Sequence, residues 1–396
     1  MPETISRRSI IKTAGATVFA AFAHSLTANA QSSKTVIPKS SDKKSSARLM
    51  PDLRDFIPEL MRHHGVPGLS IAVVKDAKIV WTQGFGVKSV LTKEPVDVNT
   101  PFVGASFSKA AFACAVLKLC DKGKLNLDEP LWNYKPNFFL PDEPQSRLVT
   151  ARMILSHSSG LRGRPSDKII KFEAKPGEKW MYSPLGYGYL QQIVEHITGQ
   201  PLEEFMQANL LRPFGMRSSS YDWSDYYERQ AAQGHDWEGK RVADRNFYEK
   251  FRSFPAEEKA KIRRVQPEDA PPGAAFSLTT TPADYARLLI EIIRPTRADE
   301  FRLSEKRIAE MLMPQIKVAP SIGWGLGWEI ERGAGGSDAF YHYGNAGNFQ
   351  NLAVAFKREK SGVVIMTNSG NGLRLCQKLA EQALGAARLP HTFSFS

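Results

Sequence analysis

Cysteine is scarce in this sequence, with three residues among 396: Cys114, Cys120 and Cys376. Cys114 and Cys120 lie six residues apart in one predicted helix, so their side chains point to different faces and stand too far apart for a disulfide. Three scattered thiols do not form a disulfide framework or a cysteine-rich metal site. We therefore expect small buried thiols, no metal and no other cofactor.

Long apolar runs are also missing, since none reaches the roughly 20 residues that a membrane-spanning helix needs. The short apolar run Ala14–Ala23 follows Ser6–Lys12, which resembles a twin-arginine export signal, and precedes the small-residue site Ala28–Ala30. We expect a signal peptide over residues 1–30 with cleavage after Ala30. The expected location is periplasmic or secreted, with no stable membrane span.

No recognisable nucleic-acid-binding module occurs, although the formal net charge is +12. Much of the positive charge lies in the signal and in residues 31–48, whose Ser- and Lys-rich composition predicts a solvated linker. A basic exported protein near an anionic envelope accounts for this charge, so no nucleic-acid partner is expected. The 42% hydrophobic and 24% charged composition is typical of a globular enzyme.

One segment carries candidate chemistry, because Ser106 and Lys109 stand three residues apart at the start of a predicted helix. Residues with that spacing share a helix face. The run 110–117 that follows is apolar on every side, which predicts a buried helix. Burial lowers the pKa of a lysine, and a neutral Lys109 could then deprotonate Ser106. Other Ser-x-x-Lys pairs occur by chance in the N-terminal tail, so only this pair is a catalytic candidate.

Strand signals occur at both ends of the chain, and helical patterns lie between them. The sequence predicts an α/β fold in which an antiparallel sheet from both chain ends is flanked by helices and carries an inserted helical lobe. We expect one catalytic domain over 49–396, with a sheet lobe at 49–124 and 273–396 and a helical lobe at 125–272. Residues 226–268 are charged and irregular, which suggests a surface excursion. The individual predicted elements are a helix at 53–63, a hairpin of Leu69–Val74 and Lys78–Gly84, strands at 325–330, 339–343, 351–356 and 362–367, and a closing helix at 373–387.

Two further candidates lie in the helical lobe. Ser183 is a natural N-cap and Pro184 suits the first helical position, which places Tyr182 just before a helix. The positive end of the helix dipole would favour the phenolate of Tyr182, and the alternative is an aromatic residue packed into the core. His157 follows a short helix and could be a base, but a hydrogen bonder that fixes its own loop is favoured.

The last candidate segment is His342–Asn345, at the end of a predicted strand. Gly344 there would let a substrate approach the backbone, so that an amide N–H faces a developing oxyanion. A His-x-Gly tripeptide is a weak signal by itself. The tripeptide becomes significant through the order of three motifs along the chain: Ser-x-x-Lys on a buried helix, Tyr-Ser in the helical lobe, then His-x-Gly on a strand.

These motifs together resemble the serine β-lactamase and penicillin-binding protein superfamily. More narrowly they resemble the class C β-lactamase-related branch, which includes D,D-carboxypeptidases, D-aminopeptidases and family VIII esterases. The resemblance runs from about Leu53 to Leu384 and includes family-like segments at 66–68, 123–128, 155–161 and 325–328. It implies a β-lactamase/transpeptidase-like fold and an exported serine hydrolase that cleaves an ester or amide through an acyl-serine intermediate.

The resemblance also implies roles for individual residues. Ser106 is the implied nucleophile, and Lys109 with Tyr182 forms its proton-transfer system, in which either could be the base. The backbone N–H groups of Ser106 and Asn345 are the implied oxyanion hole, and His342 is expected to line the strand edge and orient Tyr182 or the substrate. The implied substrate-binding residues are His342, Gly344 and Asn345.

Two departures from the family pattern bear on the substrate. His342 stands where class C β-lactamases carry Lys, and Pro184 replaces the Asn of the usual Tyr-x-Asn. Proline has no side-chain amide to bind the acyl amide of a substrate. We therefore expect a small-molecule ester or peptide ahead of a β-lactam, and an esterase or D-amino-acid peptidase ahead of a true class C-like β-lactamase. A non-catalytic penicillin-binding-like sensor or scaffold is the alternative of a different class.

Overall fold

The computed structural model describes residues 45–135, 140–163, 170–236, 273–333 and 338–385. The predicted signal peptide at 1–30 and residues 31–44 of the predicted linker lie outside these ranges. The elements below belong to the compact unit Ser46–Ser396, apart from the first residue of α1 (Ser45–His64). Within the described ranges, no helix combines the length and the apolar character needed to cross a membrane.

An eight-stranded antiparallel sheet joins the two ends of the described chain in the order β2-β1-β12-β11-β10-β9-β8-β7. Strand β1 pairs with β12, with Leu69 opposite Thr367 and Val74 opposite Gly362. The predicted sheet from both chain ends is therefore confirmed. The strands are β1 Gly68–Lys75, β2 Lys78–Gly86, β3 Phe102–Val103, β4 Leu161–Arg162, β5 Lys171–Phe172, β6 Thr279–Thr280, β7 Ile316–Lys317, β8 Ile322–Trp324, β9 Glu329–Glu331, β10 Ala339–Asn345, β11 Gln350–Phe356 and β12 Ser361–Thr367.

Helices cover both faces of this sheet. In β1, Ile71 packs in the core cluster that contains Leu375, whereas Ala72 packs in the cluster that contains Phe112. Neighbouring strand residues point to opposite faces, so a strand covered on both sides is mostly apolar, and β1 is buried at every position up to Lys75, with Ser70 as its polar residue. The helices are α1 Ser45–His64, α2 Phe107–Asp121, α3 Ala151–Leu155, α4 Pro184–Thr198, α5 Leu202–Met206, α6 Asp225–Gln230, α7 Pro282–Ile293, α8 Glu305–Leu312 and α9 Gly372–Leu384.

The predicted strand at 325–330 is wrong for residues 325–328, whereas Glu329 and Ile330 lie in a strand. Strand β8 ends at Trp324 and β9 begins at Glu329, so the intervening residues form a turn. Gly327 has a φ of 89°, and a Cβ there would lie 2.5 Å from the Cβ of Ala113 in α2. Gly327 thus allows the close packing of this turn against the helix that follows Ser106.

Four other boundaries or elements differ from the prediction. Helix α1 begins at Ser45, inside the predicted linker. Helix α9 ends at Leu384, and residues 386–387 of the predicted closing helix lie outside the described ranges. Helices α7 and α8 were not predicted, although Thr281 and Ser304 cap their first turns by accepting from Asp284 and Arg307 N–H groups.

The described part of the predicted surface excursion, residues 226–236, is in part packed against the fold. Tyr227 is 6% exposed and His235 is fully buried. The Nε2 atom of His235 accepts from Val90 N–H at 3.1 Å, and its Nδ1 lies 2.9 Å from the Asn368 carbonyl oxygen. The prediction is therefore wrong for residues 231–236, whereas Tyr226 and residues 228–230 are exposed, and residues 237–268 lie outside the described ranges.

Candidate active site

Ser106 stands at the N-cap of α2, directly after Ala105, whose φ of 50° lies in the left-handed region. The Ser108 hydroxyl donates to the Ala105 carbonyl at 2.6 Å and accepts from Leu278 N–H at 2.9 Å. These bonds fix the turn that presents Ser106. Residues 107–117 of α2 are all buried, so the predicted buried helix is confirmed, and Ser106 itself stays partly exposed.

Two side chains converge on the Ser106 hydroxyl. Lys109 Nζ lies 3.2 Å from Ser106 Oγ and donates to the Ala275 carbonyl at 2.6 Å, with the lysine only 1% exposed. The Tyr182 hydroxyl donates to Ser106 Oγ at 2.8 Å. The Lys109 ammonium lies 5.0 Å from the centre of the Tyr182 ring. The structure therefore brings together the three residues that the sequence proposed as catalytic.

The start of α4 holds Tyr182 in place. Ser183 caps the helix by accepting from Gly186 N–H at 3.0 Å, and Pro184 is its first residue. His157 Nδ1 accepts from Ser183 N–H at 3.0 Å. The predictions of a Ser183 cap and of His157 as a loop-fixing hydrogen bonder are confirmed.

The environment of Tyr182 opposes ionisation of its phenol. Its ring lies 4.3 Å from the ring of His157 and 5.9 Å from that of Trp324, measured between centroids. Burial raises the pKa of Tyr182, and the hydrogen bond with Ser106 only partly offsets this effect. Burial thus acts against the phenolate that the helix N-terminus was expected to favour.

His342 is buried beneath the site instead of lining an open edge. It is 2% exposed, and its Nδ1 donates to the Tyr343 carbonyl at 2.7 Å. Its ring meets those of Trp324 and Trp328 edge to face, at 5.7 and 6.4 Å. Burial, followed by the charge of Lys109, lowers the pKa of His342 to about 3, so the imidazole is neutral. The Nδ1 hydrogen bond goes to Tyr343, and the expected role of His342 in orienting Tyr182 or the substrate stays a prediction.

Gly344 permits close packing in this structure, and the substrate approach expected there stays a prediction. A Cβ on Gly344 would lie 2.3 Å from the Gly104 carbonyl oxygen and 2.8 Å from Asn351 Nδ2. Asn351 Nδ2 also donates to the Val103 carbonyl at 3.0 Å. The missing side chain thus lets β10 lie against the loop that leads to Ser106.

Asn345 follows at the exposed end of β10, where its Oδ1 accepts from Gly347 N–H at 2.8 Å. Pairing of β10 with β9 runs from Ala339 to Tyr341. Beyond Tyr341, β10 continues to Asn345 with β11 as its strand partner within the described ranges. The structure thus places Asn345 on the strand end that lies beside the Ser106 loop.

Two parts of the site were missed from the sequence. The Ala275 carbonyl that binds Lys109 is a backbone group, for which a sequence carries no signal. Trp324 and Trp180, whose ring centroids lie 5.8 Å apart, build an aromatic wall beside Tyr182. A Trp between two glycines gave no indication of that contact.

The family model described as Beta-lactamase matches residues 53–387. Protein flp of Staphylococcus aureus (strain NCTC 8325 / PS 47) is 23% identical over 331 residues, which cover 78% of this chain and 61% of flp. The putative penicillin-binding protein PbpX of Bacillus subtilis (strain 168) is 28% identical over 226 residues, covering 53% of this chain and 55% of PbpX.

Two solved structures share the fold. The octameric penicillin-binding protein homologue from Pyrococcus abyssi has a TM-score of 0.69 and 25% identity, covering 85% of this chain and 77% of that one. D-alanine carboxypeptidase AmpC from Burkholderia cenocepacia has a TM-score of 0.68 and 20% identity, covering 85% of this chain and 99% of that one. The chain spans about three-fifths of the length of the flp relatives it matches.

Proposed function

The chain belongs to the β-lactamase family, and from that premise we propose that it is a serine hydrolase with an acyl intermediate on Ser106. The observation that carries the proposal is the position of Ser106 Oγ, within 3.2 Å of Lys109 Nζ and 2.8 Å of the Tyr182 hydroxyl. A nucleophile and a base within hydrogen-bond reach are the signature of covalent catalysis.

The raised pKa of Tyr182 supports different proton-transfer roles for Lys109 and Tyr182. A phenol held neutral is a poor base, so Lys109 in its amine form takes the proton as Ser106 Oγ attacks the substrate carbonyl. Tyr182, which already donates to Ser106 Oγ, passes its proton to the leaving group as the bond to it breaks and is reprotonated by Lys109. Lys109 then takes a proton from the water that attacks the acyl-serine, and that proton returns to Ser106 Oγ as the acid product leaves. The lowered Lys109 pKa expected from the sequence stays a prediction.

The developing negative charge on the carbonyl oxygen needs two donors. The backbone N–H groups of Ser106 and Asn345 are proposed for this role, as the family resemblance implies. The close approach of β10 to the Ser106 loop supports the proposal, since Gly344 allows the Gly104 carbonyl to lie against the strand. Losing one such donor typically raises a barrier by about 2.7–4 kcal/mol.

The substrate proposed is an ester or a D-amino-acid peptide in preference to a β-lactam. Pro184 offers no side-chain amide to the acyl amide of a penicillin. His342, at the position where class C β-lactamases carry Lys, is buried and neutral, so it presents no cation to a substrate carboxylate. Both features remove contacts that a β-lactam would use, so a neutral ester is the substrate that loses the fewest binding interactions. Export to the periplasm or beyond stays a prediction from residues 1–30.

Turnover of three substrate classes tests the proposal. The classes are p-nitrophenyl esters, D-alanyl p-nitroanilide and a chromogenic cephalosporin, each assayed with wild type, Ser106→Ala and the exposed-site control Ser321→Ala. We expect wild type and Ser321→Ala to turn over the ester fastest and the cephalosporin slowest, and Ser106→Ala to be inactive. Full activity in Ser106→Ala contradicts the mechanism. Reversible cephalosporin binding without turnover of any substrate supports the sensor or scaffold.

A further inference from the structure

The turn after α3 places a histidine where the backbone favours glycine. Ser158 N–H donates to the Met153 carbonyl at 2.7 Å, and His157 N–H donates to the Ile154 carbonyl at 3.0 Å. This pair of bonds is the Schellman pattern, whose left-handed residue is usually Gly. His157 occupies that position with a φ of 55°. A side chain kept at a sterically costly position, and fully buried there, indicates that the imidazole itself is needed.

Both chain neighbours of Tyr182 are bound by His157. Its backbone carbonyl accepts from Met181 N–H at 2.6 Å, and its Nδ1 accepts from Ser183 N–H at 3.0 Å. Its ring also covers the ring of Tyr182, with centroids 4.3 Å apart and planes inclined by 36°. One residue therefore holds the backbone on either side of Tyr182 and one face of its ring.

The hydrogen bond from Ser183 fixes the protonation state of His157. Because Nδ1 accepts, the ring proton resides on Nε2, and a second proton on Nδ1 would break the bond to Ser183 N–H. Among the residues that the structure describes, the buried Nε2 has no hydrogen-bond partner. Burial lowers the pKa of His157, and the nearby charge of Lys109 lowers it further. The imidazole is thus a neutral acceptor at the pH of turnover.

We propose that His157 is a positioning residue that holds the Tyr182 hydroxyl at Ser106 Oγ. The inference rests on the proposed function, since it needs Tyr182 to take part in turnover. A purely structural role would be limited to closing α3 and filling space beneath α4. The two roles differ in whether the effect of His157 passes through the Tyr182 hydroxyl, which a double variant can decide.

Asn and Gln at position 157 form a matched pair of variants. Asn tolerates the left-handed backbone, and its Oδ1 sits two bonds beyond Cβ, as His Nδ1 does, so it can still accept from Ser183 N–H. Gln carries its polar atoms one bond further out and loses that acceptor. We expect His157→Asn to keep kcat for a p-nitrophenyl ester within about threefold of wild type. We expect His157→Gln to lower kcat roughly 10- to 100-fold with KM little changed, because small displacements of catalytic groups cost about that much.

His157→Gly guards against misfolding, because glycine suits the left-handed position and should leave the end of α3 intact. We expect it to fold by circular dichroism and to lose kcat as His157→Gln does. In a Tyr182→Phe background, His157→Gln should lower the single-turnover rate, measured with enzyme in excess, by less than about twofold relative to Tyr182→Phe alone. The effect of position 157 is transmitted through the Tyr182 hydroxyl, which this background lacks.

The results separate this inference from the proposed function. An equal loss from His157→Gln in the wild-type and Tyr182→Phe backgrounds overturns the positioning role. So does wild-type kcat in a folded His157→Gln or His157→Gly protein. A wild-type protein that consumes no ester and no D-amino-acyl amide overturns the proposed function, and the positioning role with it.

Discussion

Replacement of Lys109 separates two functions that a buried amine can have beside a serine. As a base, Lys109 must give up its proton before it can accept another from Ser106. As a fixed cation, it would stabilise negative charge without exchanging a proton. Lys109→Met removes both functions at similar side-chain length. Lys109→Arg keeps the charge but removes the base, because the guanidinium stays protonated in proteins.

The structure sets the size of each effect. Lys109 Nζ lies 3.2 Å from Ser106 Oγ, and loss of a general base at that distance lowers kcat by about 10²–10⁴-fold. Both variants should therefore lose activity by that factor. In Lys109→Met, the Ala275 carbonyl also loses the donor that lies 2.6 Å away, which costs about 1–3 kcal/mol of unfolding free energy if the oxygen stays unsatisfied. Release of a buried amine from the 1% exposed site offsets part of that cost.

The assay is single-turnover hydrolysis of a p-nitrophenyl ester, with urea unfolding of each variant to confirm a folded state. Arg is larger than Lys in a closed site, so only a cooperative unfolding transition makes its rate interpretable. An arginine variant that keeps kcat within tenfold of wild type would refute the base role and leave Lys109 as a fixed charge. A methionine variant with wild-type activity would remove Lys109 from the mechanism altogether.

Three further outcomes follow from the packing and electrostatics. The pKa of His342 falls from 6.5 in its ordinary environment to about 3 in the fold. Between these pH values the unfolded chain binds more protons than the folded chain, so the free energy of unfolding falls as the pH drops below about 6.5. Urea unfolding should show the wild type losing about 1.4 kcal/mol per pH unit more than His342→Gln in that range, and equal slopes would contradict the assignment. Gly327→Ala should lower the free energy of unfolding by about 2–5 kcal/mol, of which about 1–2 kcal/mol comes from the φ of 89° and about 1–3 kcal/mol from the new Cβ, which would lie 2.5 Å from that of Ala113. Gly199→Ala, at φ 68° with no described atom within 4 Å of the added Cβ, should show only the backbone cost of about 1–2 kcal/mol, and an equal or larger loss there than at Gly327 would refute the packing argument. Pro184→Asn supplies a side-chain amide and should raise the rate of penicillin acylation by about two- to tenfold, the worth of one neutral hydrogen bond; an unchanged rate would show that Pro184 does not limit β-lactam use.

Local patterns predicted those parts of the fold whose causes lie close together in the chain. The first hairpin follows from apolar, β-branched strands around a two-residue turn, where Asp76 and Ala77 adopt φ values of 51° and 56°. The glycine-rich segment at 325–328 was misread as a strand because its conformation depends on Ala113 in a distant helix. Thr281 and Ser304 are recognisable in the sequence as N-cap residues, so α7 and α8 could have been predicted from them.

The site also contains features with local causes, which the sequence could predict, and features with long-range causes, which it could not. Helix periodicity alone places Lys109 beside Ser106, whereas Tyr182 reaches Ser106 only through the tertiary fold, and the order of motifs suggested it. The electrostatics of Tyr182 could not be predicted, because the aromatic rings that bury it include Trp324 from the far end of the chain. The reason for Gly344 was also out of reach, since the Gly104 carbonyl that fills its space belongs to another strand connection.

Intact-mass measurement of an acid-quenched reaction with a p-nitrophenyl ester tests the central proposal, an acyl intermediate on Ser106. Wild type and Ser321→Ala should gain the mass of one acyl group, located by peptide mapping on Ser106. Ser106→Ala should gain none. An acyl group of equal occupancy on Ser106→Ala, or rapid ester hydrolysis by wild type with the acyl group on another residue, would contradict the proposed mechanism.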